Sequence, residues 1–212
     1  GAGFIGSHLV DLLVSSNYHV RIIDNFLGGH SRNIQHLSNS TMVEILNADI
    51  RYIDVDHPIF KDVDYVFHLA GIGDIVRSIE HPVDYMDINV QGTVRMLEAA
   101  RINSIKKFVY AASSSCYGLA TTPTDEKHDV DPKYPYALSK FLGEMATFHW
   151  GKVYGINVNS ICIFNAYGPR VRTRGAYGAV FGVFFKQKLA GKPLTVVADG
   201  TQARDFIYVT DV

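Results

Sequence analysis

Two residues four positions apart could form a proton-transfer pair. Tyr136 and Lys140 occur in the stretch YPYALSKFLGE, whose pattern is typical of a helix, and residues at this spacing share one helix face. A tyrosine with its ordinary pKa of about 10 is a poor base, but a nearby ammonium group lowers that pKa. The pair therefore predicts a site in which Tyr136 removes a proton and Lys140 supports it, although the same spacing occurs by chance in many helices.

A run of hydroxyl side chains precedes this pair. The stretch AASSSCYG contains Ser113, Ser114 and Ser115, which follow an apolar run typical of a strand. Open α/β sheets bind ligands at the carboxyl ends of their strands. A serine there could bind the same substrate oxygen as the tyrosine, or the run could be only a turn.

The first six residues, GAGFIG, match the pattern G-x-G-x-x-G through Gly1, Gly3 and Gly6. In a doubly wound fold such a turn directs a helix N-terminus at a pyrophosphate. Asp24 ends the next apolar run, where an acid accepts hydrogen bonds from the adenosine ribose and repels a 2′-phosphate. These features predict NAD rather than NADP; the alternative is a tight turn followed by a solvated aspartate.

The elements that must position these residues alternate along the chain. Apolar runs predict strands over residues 18–24, 43–49, 65–70, 107–113 and 157–165, and helical patterns cover residues 7–15, 83–103 and 136–154. Strands separated by helices imply a doubly wound parallel sheet with helices on both faces, which is an α/β fold. After residue 165 the pattern predicts a Gly- and Arg-rich loop, a short helix over 179–190, strand-like LTVVAD and DFIYV, and a helix N-cap in the closing VTDV.

Composition limits the classes of partner. The chain has 212 residues, 47% of them hydrophobic, and a net charge of −1, which is typical of a globular protein of one to two domains. This charge gives no reason to expect nucleic acid or a membrane as partner, and no apolar run approaches about 18 residues. The two cysteines, Cys116 and Cys162, indicate reduced thiols and a cytoplasmic protein. The nine histidines lack metal-ligand spacing, so no metal is expected.

In chain order these motifs resemble the extended short-chain dehydrogenase/reductase family, the nucleotide-sugar epimerases and dehydratases. The family fingerprint T-G-x-x-G-x-x-G matches GAGFIG at its last six positions, so Gly3 and Gly6 correspond to its second and third glycines. The likeness implies a Rossmann NAD-binding domain over residues 1–165 and the start of a small substrate domain over 166–212. It also implies a fragment that lacks the first strand and the C-terminal end, and a homodimer formed through helices 83–103 and 136–154.

The resemblance also implies roles for individual residues. The catalytic residues would be Ser113, Tyr136 and Lys140. Contacts to NAD would come from Gly3, Phe4, Ile5, Gly6, Asp24, Asn25, Asp49, Ile50, Leu69, Ala70, Gly71, Asn89, Ala111, Tyr136, Lys140 and Phe164. Contacts to the UDP-sugar substrate would come from Ser113, Ser114, Tyr136, Asn165 and Arg204.

The reaction is inferred from what the serine run lacks. Family dehydratases carry Asp-Glu directly after the catalytic threonine, and here Ser114 and Ser115 occupy those positions. Neither hydroxyl can serve as an elimination acid at neutral pH, so C4 epimerisation of a UDP-hexose is expected. The alternatives are another epimerase, a dehydratase or keto-sugar reductase of the same family, and a non-catalytic NAD-binding scaffold.

Two positions depart from the family pattern. Cys162 stands where many members have arginine, and Asp74 in AGIGDIV lies in a loop beside the expected sugar site. A carboxylate facing the sugar would disfavour an anionic uronic acid. Asp74 could instead be a helix N-cap.

Overall fold

The computed structural model describes residues 1–171, 180–196 and 198–212. Its strands are β1 (Val20–Asp24), β2 (Val43–Asn47), β3 (Tyr65–His68), β4 (Lys107–Ser113), β5 (Val158–Ile163), β6 (Asn165–Tyr167) and β7 (Phe206–Tyr208). Its α-helices are α1 (Phe4–Ser15), α2 (Ile75–Glu80), α3 (Pro82–Met86), α4 (Gly92–Ile102), α5 (Pro135–Tyr154) and α6 (Val180–Leu189). A π-helical turn (Asp87–Gln91) joins α3 to α4, and short 3₁₀ turns cover Ser31–Asn33, Gln35–Leu37, Pro58–Phe60 and Ser114–Tyr117.

Every described strand pair is parallel. β1 pairs with β2, β4 lies between β3 and β5, and β6 pairs with β7. Parallel neighbours need crossover connections, and helices supply several of them. This is the Rossmann-like α/β arrangement that the sequence predicts.

The strand register brings the predicted site residues to one edge. Asp24, the last residue of β1, pairs with Asn47, the last residue of β2. Ser113 ends β4 opposite Ile163 at the end of β5. The loops that follow these strands therefore open at the same carboxyl edge, where α/β sheets bind ligands.

Two apolar clusters hold the elements in place. The larger one centres on β4, where Phe108 and Tyr110 are fully buried against Leu97 of α4 and neighbouring side chains. The smaller one joins Val10 of α1 to Ile22 of β1. Each cluster fixes one part of the sheet, so the glycine turn and the serine run rest on separate cores.

A groove separates these two parts of the sheet. It has a volume of about 500 Å³ and is lined by residues of β1, β3 and α1. Among the described strands, neither β1 nor β3 has a partner on the side facing the groove. Tyr65 and Phe67 of β3 are 51% and 40% exposed. One further parallel strand would pair both edges and cover these rings.

Some predicted elements differ from the structure. The helix predicted over 83–103 forms, but it contains a π-helical turn, within which Asn89 is buried. The strand predicted over 157–165 is interrupted at Phe164, where β5 gives way to β6. No strand forms at the described residues of LTVVAD, where Leu194 and Val196 lie 48% and 65% exposed. The closing VTDV forms a turn, and residues 172–179, which include the first residue of the predicted last helix, lie outside the described residues.

Filling the groove should stabilise the protein. A version carrying about five strand-forming residues ahead of Gly1 is expected to unfold several degrees higher, because a paired strand would bury the exposed rings of β3. Differential scanning calorimetry measures the change. An added segment of equal length rich in Gly and Ser is the control, and equal unfolding temperatures for the two would contradict the expectation.

Candidate active site

A cavity of about 440 Å³ opens at the carboxyl edge of the sheet and runs from the glycine turn to Tyr136. All the predicted cofactor residues except Asn89 line it. Of the predicted substrate residues, Ser113 and Tyr136 line it, whereas Ser114, Asn165 and Arg204 do not. The fold thus gathers residues from the loops after four different strands around one space.

The glycine turn leaves the start of α1 open to this cavity. Gly3 is the N-cap, no side chain caps the helix, and its first turn holds no acidic residue. The first backbone N–H groups of a helix have no acceptor within the helix, so they can bind an anion. A Cβ atom on Gly6 would lie 3.0 Å from the Gly1 carbonyl oxygen, so this close approach favours glycine.

Asp24 holds the turn against the end of β1. Its Oδ2 accepts hydrogen bonds from the nitrogens of Gly1 (3.0 Å) and Ala2 (2.8 Å), and its Oδ1 accepts one from Phe26 (2.8 Å). Burial raises the pKa of the Asp24 carboxyl, and backbone hydrogen bonds from Ala2 and Phe26 lower it. With a side chain only 14% exposed, Asp24 is not the solvated aspartate of the alternative interpretation.

The next two predicted contacts form a polar cluster. Asn25 donates to Asp49 at 3.0 Å, and the Arg51 guanidinium donates to both oxygens of Asp49 at 3.0 and 2.8 Å. The hydrogen bonds from Arg51 lower the pKa of Asp49 to about 2, against its partial burial. Ile50, which is 7% exposed and lines the cavity, offers the apolar surface at this end.

Asn89 lies behind the cavity rather than in its lining. Its amide donates to the Ile72 carbonyl (3.0 Å) and to the Ser139 hydroxyl (2.9 Å), and its Oδ1 accepts from the Ile72 nitrogen (2.9 Å). The Asn89 amide groups, which the resemblance assigns to the cofactor, are bonded here to protein atoms. The residue instead fixes the loop after β3 to α5. A Cβ on Gly71 would approach Asn89 Oδ1 to 2.8 Å, which favours glycine there.

The predicted acid–base residues meet at the other end of the cavity. The Tyr136 hydroxyl donates to Ser113 Oγ at 3.3 Å, and Ser113 Oγ lies 2.8 Å from Ser115 Oγ. Burial raises the pKa of Tyr136, and hydrogen bonds with the two serines offset only part of this effect. In the described structure the Lys140 ammonium lies over the Tyr110 ring, 4.3 Å from its centroid, and Lys140 is not among the groups that lower the pKa of Tyr136.

Lys140 is a buried cation. The residue is 9% exposed, and burial lowers its pKa to about 8, although the nearby Glu144 carboxylate acts in the opposite direction. It is the one lysine or arginine among the described residues that line the cavity. Its charge therefore depends on pH close to neutrality.

Sequence reasoning missed two features of this end of the cavity. A Cβ atom on Gly73 would lie 3.5 Å from the Tyr136 hydroxyl, so the Gly73 backbone borders the base. Ser115 lies outside the predicted substrate residues, yet its hydroxyl contacts Ser113; its place in the serine run, two residues after Ser113, is the available signal. Asp74 is a helix N-cap, accepting from the Arg77 nitrogen at 3.2 Å, and it also lines the cavity.

In the part of the chain that the structure describes, no group of three or more His, Cys, Asp and Glu side chains could hold a metal ion. None of the described helices has both the length and the apolar character needed to cross a membrane. Cys116 and Cys162 are both free thiols.

A comparison with protein families matches residues 1–212 to the NAD dependent epimerase/dehydratase family. The chain belongs to this family. Its members are enzymes that use NAD, so the enzyme class and the cofactor predicted from the sequence are confirmed.

Three relatives show how far the likeness extends. The chain is 42% identical to a putative UDP-glucose 4-epimerase of Methanocaldococcus jannaschii, covering all of this chain and 68% of that protein. It is 35% identical to a UDP-N-acetyl-alpha-D-glucosaminuronate decarboxylase of Bacillus cytotoxicus, covering all of this chain and 66% of the relative. A solved UDP-N-acetylglucosamine 4-epimerase of Methanobrevibacter ruminantium, in complex with UDP-N-acetylmuramic acid, matches with a TM-score of 0.94 and 34% identity over 99% of this chain and 67% of that one. The family is therefore established, while the relatives differ in reaction.

The buried lysine should make stability depend on pH. In the unfolded chain Lys140 keeps its proton up to its ordinary pKa of 10.5, but in the folded protein it loses it near pH 8. Between these values the unfolded state binds more protons, so the free energy of unfolding should rise with pH, by about 1 kcal/mol from pH 7 to pH 9.

Chemical denaturation of the wild type and Lys140→Met at the two pH values isolates this contribution. The methionine variant should lack the rise, and Lys152→Met, on the exposed side of α5, should retain it. Equal pH dependence in the wild type and Lys140→Met would contradict the assignment.

Proposed function

We propose that the protein catalyses the NAD-dependent C4 epimerisation of a UDP-hexose, either UDP-glucose/UDP-galactose or an N-acetylated form. The observation that carries the proposal is the hydrogen-bonded series Tyr136–Ser113–Ser115 at one end of a cavity whose other end is an uncapped helix N-terminus. The hydroxyl series can move a proton at a sugar hydroxyl, and the helix N-terminus can bind the pyrophosphate of a dinucleotide.

The residues present fit NAD. Backbone N–H groups at the start of α1 would hold the pyrophosphate, and Asp24 Oδ1, which has one protein donor, has capacity left for a ribose hydroxyl. Leu69, Ala70 and Gly71 offer a mainly backbone and apolar surface on the opposite wall. When bound, NAD supplies a reversible acceptor for the hydride of the sugar carbon.

Side chains of the protein would accept and return the proton of the sugar C4 hydroxyl. Tyr136 would accept the proton of the C4 hydroxyl, while Ser113, already within hydrogen-bond distance of Tyr136, would donate to the same sugar oxygen. Because burial raises the pKa of Tyr136, the phenolate needs a positive charge nearby. Lys140, one helical turn further along α5, is the side chain placed to supply it.

The same serines support epimerisation over elimination or decarboxylation. Dehydratases of the family that this chain resembles carry Asp-Glu at the positions of Ser114 and Ser115. Ser115 Oγ contacts the Ser113 hydroxyl at 2.8 Å, so it belongs to the hydroxyl series rather than providing an acid. Oxidation at C4, rotation of the keto sugar and hydride return to its other face need no further acid–base pair.

The C-terminal residues are proposed to bind the sugar diphosphate. β6 and β7 bring together segments distant in sequence, and the Asn165 amide donates to the Asp205 carbonyl at 2.7 Å. Arg204 is exposed beside this contact. We place the boundary between the NAD-binding and substrate-binding domains at residues 165/166, with Ser114, Asn165 and Arg204 as substrate residues. A guanidinium suits a phosphate through paired hydrogen bonds.

Free thiols support a cytoplasmic location. Cys116 is buried and Cys162 is partly buried, and both are unpaired. Reduced cysteines are typical of a reducing compartment. We propose that the enzyme acts in the cytoplasm.

Removing the phenolic hydroxyl should abolish epimerisation. Tyr136→Phe keeps the ring but loses the proton acceptor, so kcat should fall by about 10²–10⁴-fold, while bound NAD is retained. The full-length protein would be incubated with UDP-glucose and UDP-N-acetylglucosamine in heavy water and followed by proton NMR.

The exposed Tyr134, two residues before Tyr136, provides a matched control, and Tyr134→Phe should keep full activity. Formation of the C4 epimer without deuterium uptake supports direct hydride return. A 4-keto-6-deoxy product carrying deuterium would replace the proposal with a dehydratase, and NAD-loaded wild type that converts neither sugar would refute it.

We further propose a homodimer formed through the helical segments 83–103 and 136–154, the second of which lies in α5. Leu138, Leu142, Met145 and Phe148 recur at helical spacing and are 37–44% exposed. Val83, at the start of α3, is 68% exposed. An apolar stripe of this kind is typical of a helix that packs against another copy.

A charge within the stripe should weaken this dimer. Phe148→Glu would place a carboxylate in the proposed contact, so it should shift the sedimentation coefficient from dimer to monomer in analytical ultracentrifugation at micromolar concentration. Leu12→Glu, at a 60% exposed leucine on α1, makes the same chemical change elsewhere and should leave the dimer intact. A wild type that sediments as a monomer would refute the proposal.

A further inference from the structure

A carboxylate lies beside the reacting end of the cavity, and the proposed chemistry does not use it. The loop after β3 passes from Gly71 to Gly73, whose Cβ position is 3.5 Å from the Tyr136 hydroxyl. Asp74 is the next residue, and consecutive Cα atoms are about 3.8 Å apart. Since Asp74 also lines the cavity, it borders the space that a sugar must occupy to reach Tyr136.

The protein holds Asp74 in this position from both sides. On one side, Asn89 bonds both the nitrogen and the carbonyl of Ile72. On the other, Asp74 Oδ1 accepts from the Arg77 nitrogen at 3.2 Å, and its carbonyl accepts from the Ser78 nitrogen at 3.1 Å. The carboxylate is therefore fixed to the start of α2 and cannot move away from the cavity without losing its cap.

The Asp74 carboxylate is paired differently from the other cavity carboxylates. Asp24 accepts hydrogen bonds from the backbone nitrogens of Ala2 and Phe26, and Asp49 lies 2.8 Å from the Arg51 guanidinium. The ion pairs of residues 1–171, 180–196 and 198–212 include none at Asp74, whose bonded partner is a backbone N–H group. Among the described residues, no side chain forms an ion pair that would neutralise the negative charge of Asp74 beside the cavity.

We propose that Asp74 determines substrate specificity by excluding nucleotide sugars that carry a carboxylate on the hexose and by admitting neutral hexoses. This inference rests on the proposed function and names its substrate class. Two carboxylates in a partly dehydrated site repel each other, whereas carboxylate oxygens accept hydrogen bonds from sugar hydroxyl or amide groups. The residue acts on selection rather than on proton or hydride transfer.

Substitution can separate this role from helix capping. Asparagine and serine cap helices about as well as aspartate, so Asp74→Asn and Asp74→Ser remove the charge while keeping the cap. Asp84→Asn is a matched control, because Asp84 is exposed and lies outside the described cavity lining. None of these changes should alter the unfolding temperature appreciably.

The test uses the full-length, NAD-loaded protein with UDP-glucose and UDP-glucuronate. For each variant, Kd is measured by calorimetric titration and kcat/KM by proton NMR. The wild type should bind UDP-glucose more tightly. Asp74→Asn and Asp74→Ser should each shift the glucuronate-to-glucose ratio of affinities towards glucuronate by about tenfold or more, and Asp84→Asn should leave it unchanged.

Each outcome decides the inference. An unchanged ratio in Asp74→Asn, a wild type that prefers UDP-glucuronate, or failure of the wild type to bind either compound would overturn it. A fall in unfolding temperature with an equal loss of affinity for both sugars would also overturn it and show that Asp74 is only a cap. If UDP-glucose binds but is not epimerised, the proposed function fails, while the ratio of Kd values still decides the role of Asp74.

Discussion

The site depends on one side-chain amide. Asn89 bonds the backbone of Ile72 on one side and the Ser139 hydroxyl of α5 on the other, and it is 1% exposed. A buried amide left without these partners would cost about 1–3 kcal/mol for each unsatisfied group, so the arrangement is strongly specified. Through it, the loop carrying Gly71 and Gly73 is held at a fixed distance from the helix carrying Tyr136 and Lys140. The π turn is the local distortion that directs this amide inward.

The ionisable side chains at the two ends of the cavity favour different charge states. At the glycine-turn end Asp24 is held by backbone donors, and the hydrogen bonds from Arg51 lower the pKa of Asp49, so these bonds favour the ionised carboxylates. At the tyrosine end burial dominates, so that the pKa of Tyr136 rises and that of Lys140 falls. Both shifts favour the uncharged forms. The first end is thus suited to holding a ligand, whereas at the second end the phenolate form of Tyr136 is costly until a positive charge lies beside it.

The sequence predicts those parts of the molecule that depend on local pattern. The apolar runs predict five strands to within a few residues of their ends. Because α/β sheets bind ligands at the carboxyl ends of their strands, the sequence also places Asp24 and Ser113 at one site without any knowledge of contacts. The features it missed arise from residues distant in the chain. Hydrogen bonds with Ile72 and Ser139 set the orientation of Asn89. The Lys140 ammonium, expected beside Tyr136, lies over the Tyr110 ring. The break at Phe164 and the exposed course of LTVVAD likewise depend on which neighbours are available for pairing, which periodicity does not reveal.

The groove between β1 and β3 has a consequence for how ligand binding and folding are coupled. It divides the described sheet into two halves, and the cavity is lined by residues of both: Gly3 and Asp24 from one, Ala111 and Tyr136 from the other. A dinucleotide that spans the cavity would touch both halves at once and act as a cross-brace between them. Binding of the dinucleotide would then raise the free energy of unfolding of this chain by an amount set by its affinity and its free concentration. The unfolding temperature of this chain would therefore report directly on whether the cofactor bridges both halves.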